Sequence, residues 1–97
     1  MYTVCFEFYN KDFKCLEEGI YFQCEDYLYT DISHANTACE SRANKVIEIM
    51  QSQGLTLKNR YFSDLGQDVY WYELEFEGIS RRLHIYVHKF FDKEIED

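Results

Sequence analysis

Hydrophobic and polar residues alternate from the start of this chain. Tyr2, Val4, Phe6 and Phe8 fall on one side of a period-two pattern and Thr3, Cys5 and Glu7 on the other. That predicts a strand with one buried face. Asn10, Lys11 and Asp12 are turn residues, and a second apolar stretch follows from Phe13 to Leu16. Glu17, Glu18 and Gly19 interrupt it before Ile20 to Tyr29 resumes as an aromatic-rich strand. Both faces of that segment carry apolar residues, so periodicity leaves the register of the early strands open.

The period then changes. Ala35, Cys39, Ala43, Val46, Ile47 and Met50 recur three and four apart, with Asn36, Glu40, Asn44 and Glu48 on the other side. This predicts one helix over about 33–53, with Thr30, Asp31 and Ser33 as N-cap candidates. Gly54 stands where a left-handed C′ residue ends a helix, and Leu55 is placed to pack back on Met50. The inner stripe is narrow and small, suited to close approach to a sheet.

Leu55 to Phe62 reads as a strand and Ser63 to Asp68 as a loop. Val69 to Glu77 is a strand with Tyr70, Tyr72, Leu74 and Phe76 on one face and Val69, Trp71, Glu73, Glu75 and Glu77 on the other. Gly78-Ile79 is a two-residue type II′ hairpin loop leading into a strand that alternates Leu83, Ile85 and Val87 with Arg82, His84, Tyr86 and His88. With Glu77 opposite Ser80, Leu74 faces Leu83, Tyr72 faces Ile85 and Tyr70 faces Val87. On the opposite face Glu75 meets Arg82, Glu73 meets His84 and Trp71 meets Tyr86. A one-residue slip would break both the apolar and the charged set. The whole predicts an α+β fold: a mostly antiparallel sheet of about five strands with one long helix, about 33–53, packed on one face. With 97 residues it forms a single domain, 1–97.

Composition narrows the function classes. Apolar residues are 46% of the chain and aromatics 19%, too much for a disordered segment even at a net charge of -8. No apolar run approaches the ~18 residues of a membrane span, and no leader pattern is visible, so a cytoplasmic protein is expected. The charge is uneven. Residues 1–33 carry net -5, residues 34–63 carry +2 and residues 64–97 carry -5. Direct nucleic-acid binding, which needs lysine and arginine against phosphate, is not expected.

The four cysteines, Cys5, Cys15, Cys24 and Cys39, are an even number that admits a disulfide framework. None forms a Cys-x-x-Cys pair, and without an export signal they are expected to be free thiols. His84 and His88 would share a metal ion on a helix, but on a strand they stand ~13 Å apart. No metal or cofactor is expected. No nucleophile elbow, phosphate loop or dinucleotide fingerprint occurs, so the chain is expected not to be an enzyme.

What remains is surface contact. Glu73, Glu75 and Glu77 repeat at ~6.6 Å along one strand face, close to the ~6–7 Å between successive phosphates of a nucleic-acid strand. The ordinary alternative is a sheet face on which Arg82 and His84 partly neutralise them. Trp71 and Tyr86 adjoin them, a composition found at protein contacts. In general style (short, acidic, aromatic-rich, proline-free) the chain is similar to small phage-encoded proteins that block host restriction or CRISPR machinery. Acids held on a rigid sheet would occupy the lysines and arginines of a larger basic partner and aromatics would anchor it, with Asp64, Asp68, Trp71, Glu73, Glu75, Glu77 and Tyr86 as candidate contact residues. A structural or regulatory adaptor that dimerises or binds a protein through an aromatic sheet face stands as the alternative.

Overall fold

The computed structural model describes residues 1–10, 21–64, 68–79 and 81–90. The predicted turn at 11–12, the apolar stretch 13–16, Cys15, the break at 17–19, the middle of the loop at 65–67, Ser80 and the acidic tail at 92–97 lie outside them. The described elements run β1 (Tyr2–Asn10), β2 (Tyr21–Cys24), α1 (Ile32–Ser52), β3 (Leu57–Ser63), β4 (Trp71–Phe76) and β5 (Arg81–Lys89). Among the described residues the strands form one sheet in the order β2-β1-β5-β4-β3, with antiparallel pairing throughout. The expected α+β architecture is therefore present. No helix among the described residues is long and apolar enough to cross a membrane.

The β4–β5 register is the one derived from the hairpin loop: Leu74 opposite Leu83, Tyr72 opposite Ile85, Glu75 opposite Arg82, Glu73 opposite His84 and Trp71 opposite Tyr86. Gly78 has φ +81°, the left-handed backbone that the first central position of such a loop requires. The early strands, left open by periodicity, are settled by long-range pairing. β1 lies beside β5, with Val4 opposite Val87 and Glu7 opposite His84, and carries β2 on its other edge.

The long strand expected over 20–29 is shorter. After Cys24 the chain gains two residues on β1, because Cys5 pairs with Cys24 whereas Tyr2 bridges Tyr29. The Thr3 hydroxyl stands in for the interrupted ladder, within bonding distance of the carbonyls of Glu25 (3.3 Å) and Tyr27 (2.8 Å).

Asp31 is the N-cap of α1, its carboxylate accepting from the Ser33 N–H at 3.3 Å. At the other end the Leu55 N–H donates to the Met50 carbonyl and the Gly54 N–H to that of Gln51. With Gly54 at φ +88°, this is the expected Schellman closure. Ala35, Cys39 and Ala43 are fully buried against Val4, Leu74, Ile85 and their neighbours, so small side chains let the helix lie close on the sheet.

Two positions depart from the pattern. Asn36, expected on the outer face of the helix, is buried. Val69, expected beside Trp71, joins the core under the helix. Both follow from one contact, because the Asn36 amide holds the backbone leading into β4. Its Nδ2 donates to the Asp68 carbonyl at 2.7 Å and its Oδ1 accepts from the Tyr70 N–H at 3.0 Å. β4 consequently begins at Trp71, two residues later than expected.

Candidate functional site

The sheet face away from the helix carries the charged side chains. It is built from Thr3, Cys5 and Glu7 of β1, Arg82, His84 and Tyr86 of β5, and Trp71, Glu73 and Glu75 of β4, with Asn59 of β3 beside them. The glutamate row is not a solvated one. Glu73 is 8% exposed, Glu75 5% and His84 8%, values ordinarily found in a core.

Burial of these charges is compensated within the sheet. His84 Nε2 lies 3.0 Å from Glu73 Oε1, and His84 Nδ1 lies 3.1 Å from Glu7 Oε1. Arg82 Nη1 reaches Glu73 Oε2 at 3.1 Å and its Nε approaches Glu75 Oε2 at 3.8 Å. Asn59 Nδ2 donates to Glu75 Oε1 at 2.8 Å. A neutral imidazole has one N–H and a carboxylate only accepts. Holding both His84 contacts therefore takes a second proton, on the ring or on one of the carboxyls. The Trp71 ring covers this network, its centroid 4.6 Å from that of His84.

The seven candidate residues do not form one patch. Trp71, Glu73, Glu75 and Tyr86 adjoin on the polar face, where Trp71 and Tyr86 are half-buried. Burial first, and then the nearby Cys5, Glu7 and Cys24, push the Tyr86 phenol up from its ordinary value. Glu77 is exposed at the hairpin end of β4, its N–H bonded to the Thr56 carbonyl. Asp64 and Asp68 are exposed at the opposite end of the sheet, with Asp68 in the left-handed region at φ 63°.

Sequence periodicity missed a groove on the helix side. A helix is about 10 Å wide and strands are about 4.8 Å apart, so one helix covers two or three strands. Here α1 packs mainly on β5, β1 and β4, while on the same side of the sheet Arg60 and Phe62 stay exposed on β3. Glu40, Arg60, Phe62, Tyr70 and Tyr72 line the open space of about 360 Å³ beside it. Phe62 meets Tyr70 edge-on at 4.8 Å and Tyr72 at 5.0 Å, and the Arg60 guanidinium carbon sits 5.2 Å from the Tyr72 ring centroid. Alternation assigns Tyr70 and Tyr72 to the apolar face but carries no signal for how far a helix reaches across it.

The described cysteines are free. Cys5 and Cys39 are buried and Cys24 half-buried. Burial above all pushes the Cys5 and Cys39 thiols from 9.0 up to about 12. Between those values the folded chain binds more protons than the unfolded one. Stability complete below about pH 9 is therefore expected to fall as pH rises toward 12. The Tyr29, Tyr72 and Tyr86 phenols, raised mainly by burial, act with the same sign. Urea unfolding at a series of pH values above 8 checks this. The double variant Cys5→Ala/Cys39→Ala should keep only the tyrosine part of the decline, and stability that holds level to pH 11 would contradict thiol burial.

Among the described residues no three His, Cys, Asp or Glu side chains converge in a metal-ligating arrangement. No protein-family model, curated protein or solved structure matches this chain.

Proposed function

We propose that this protein is a small non-enzymatic binding protein of the cytoplasm that blocks the basic nucleic-acid-binding surface of a larger protein. In its concrete form it is a phage- or mobile-element-type inhibitor of a host defence or nucleic-acid-processing protein. The observation that carries this is the exposed run at the end of β3, where Tyr61 and Phe62, each about half exposed, lead into the exposed carboxylate of Asp64. The antiparallel pairing of β3 with β4 brings exposed Asp68 to the same end of the sheet. Aromatic anchors flanked by carboxylates suit a partner rich in lysine and arginine. Arg60 on the Tyr72 ring is already a cation–π contact of the kind such a partner would make with Phe62 and Tyr70.

In this reading Glu73 and Glu75 keep the polar face folded, their charges met by Arg82, His84 and Asn59. A basic partner would make contact at the exposed acids of the two sheet ends, Asp64 and Asp68 at one and Glu77 at the other. Capture of a partner at low and high salt, identified by mass and challenged with DNA or RNA, provides the test. Binding should weaken steeply with salt and yield to nucleic acid. The variant Asp64→Asn/Asp68→Asn/Glu77→Gln should bind more weakly with a shallower salt dependence, and Phe62→Ser should weaken binding at every salt concentration. If the triple variant binds like the parent, the mimicry idea is lost.

The second reading is an adaptor that binds or dimerises through this same edge. Its specific support is that β3 closes the sheet order, pairing with β4 alone among the described strands and so offering its outer backbone ladder to an added strand. A dimer mass in sedimentation that persists at high salt favours it.

A further inference from the structure

Cys5 on β1 and Cys24 on β2 are directly opposed. The Glu25 N–H donates to the Val4 carbonyl at 3.0 Å, one residue outside each cysteine, which makes Cys5 and Cys24 a non-hydrogen-bonded pair of the antiparallel ladder. Such pairs bring Cα atoms to about 4.5 Å, the closer of the two antiparallel spacings. A disulfide spans Cα separations of about 4.4–6.8 Å, so no backbone movement is needed to join them. Burial first, and then the neighbouring Cys24, push the Cys5 thiol up from its ordinary value. Cys39 is kept apart on the helix side of the sheet, its thiol near the carbonyls of Ile85 (3.6 Å) and Tyr70 (3.9 Å).

We propose that Cys5 and Cys24 are a reversible oxidation site, forming a cross-strand disulfide that fastens the short strand β2 to β1. The oxidant is a low-molecular-weight disulfide such as oxidised glutathione. The half-buried Cys24 reacts first. As the thiolate it attacks one glutathione sulfur, forming a mixed disulfide and expelling glutathione thiolate, which takes up a proton. Cys5 then loses its proton and attacks Cys24 Sγ. The Sγ–glutathione bond breaks as the Cys5–Cys24 bond forms, and a second glutathione leaves and is protonated. Two protein thiols are oxidised and one small disulfide is reduced to two thiols. Cys5 is fully buried and its thiol is pushed up to about 12, so the second step waits on local opening of β2 and is the slower one.

The location gives the bond a consequence. β2 has four residues and pairs with β1 alone among the described strands. A bond at Cys24 adds a covalent link to that short ladder, and it does so without touching the groove beside β3.

The test uses the full chain, treated with oxidised glutathione, alkylated in denaturant and digested. Cleavage after lysine, arginine and glutamate separates all four cysteines into different peptides. The expected product is a Cys5–Cys24 linked peptide, reversible by dithiothreitol and formed equally in Cys15→Ser, with the denaturation midpoint of the oxidised protein shifted upward. A mixed glutathione adduct at Cys24 should precede it. A cross-link to Cys15 or Cys39 in its place, or Cys5 still fully alkylated after prolonged oxidation, would overturn the proposal.

Discussion

Replacing Arg82 with methionine is expected to cost about 3 kcal/mol of folding stability, a large part of the ~5–15 kcal/mol that holds a domain of this size together. The guanidinium is a fixed positive charge beside both Glu73 and Glu75, and those two residues are more than nine-tenths buried. Methionine fills much of the same volume without the charge. Glu73 would keep its contact with His84, which also serves Glu7, and Glu75 would keep its bond from Asn59. The cost arises from buried carboxylate left with too little positive charge beside it. Adding Glu73→Gln to Arg82→Met should therefore recover part of the loss, giving a coupling of about 1–2 kcal/mol in a double-mutant cycle. Urea unfolding, with the slope checked for constancy, measures it. If Arg82→Met alone costs under about 0.5 kcal/mol, these pairs behave like surface ion pairs and the burial argument fails.

Asn36→Ala is expected to cost about 2–3 kcal/mol. The amide satisfies the Tyr70 N–H and the Asp68 carbonyl together and is 9% exposed. Alanine leaves a backbone donor without its partner at the start of β4 and releases the turn that brings Val69 into the core. The variant Asn36→Asp separates the two halves of the contact. It keeps an acceptor for Tyr70 but sets a negative charge against the Asp68 carbonyl, so it should destabilise at neutral pH and improve as the pH falls and the carboxyl gains a proton. Hydrogen exchange at the Tyr70 amide gives a local readout. Protection there that is unchanged in Asn36→Ala would mean the side chain does not hold this turn.

How much of the molecule was legible beforehand depends on the range of the interactions concerned. The Gly78-Ile79 loop and the alternation on either side of it specify the β4–β5 register, because a slip of one residue exchanges the apolar and charged faces together. Gly54, Leu55 and the three-and-four spacing from Ala35 to Met50 specify the helix and its closure in the same local way. The pattern predicts an outer position for Asn36, because a polar residue next to an apolar stripe ordinarily faces water, yet it is buried. Its partners lie more than thirty residues away, and no periodicity records them.

For the candidate contact residues, the sequence determined which side chains share a face: Trp71, Glu73 and Glu75 across from Tyr86, His84 and Arg82. Tertiary structure alone decided that this face is covered. β1 docks against β5 and delivers Glu7 to His84, the Trp71 ring lies against the imidazole, and the glutamates become a compensated internal network. On the other edge of β1, the pairing with β2 places Cys5 opposite Cys24, and the width of a single helix leaves Phe62 and Arg60 at an open groove. Alternation of side chains is a property of the local backbone. What covers a face depends on chain segments distant in sequence, and only their packing sets the dielectric in which those charges sit.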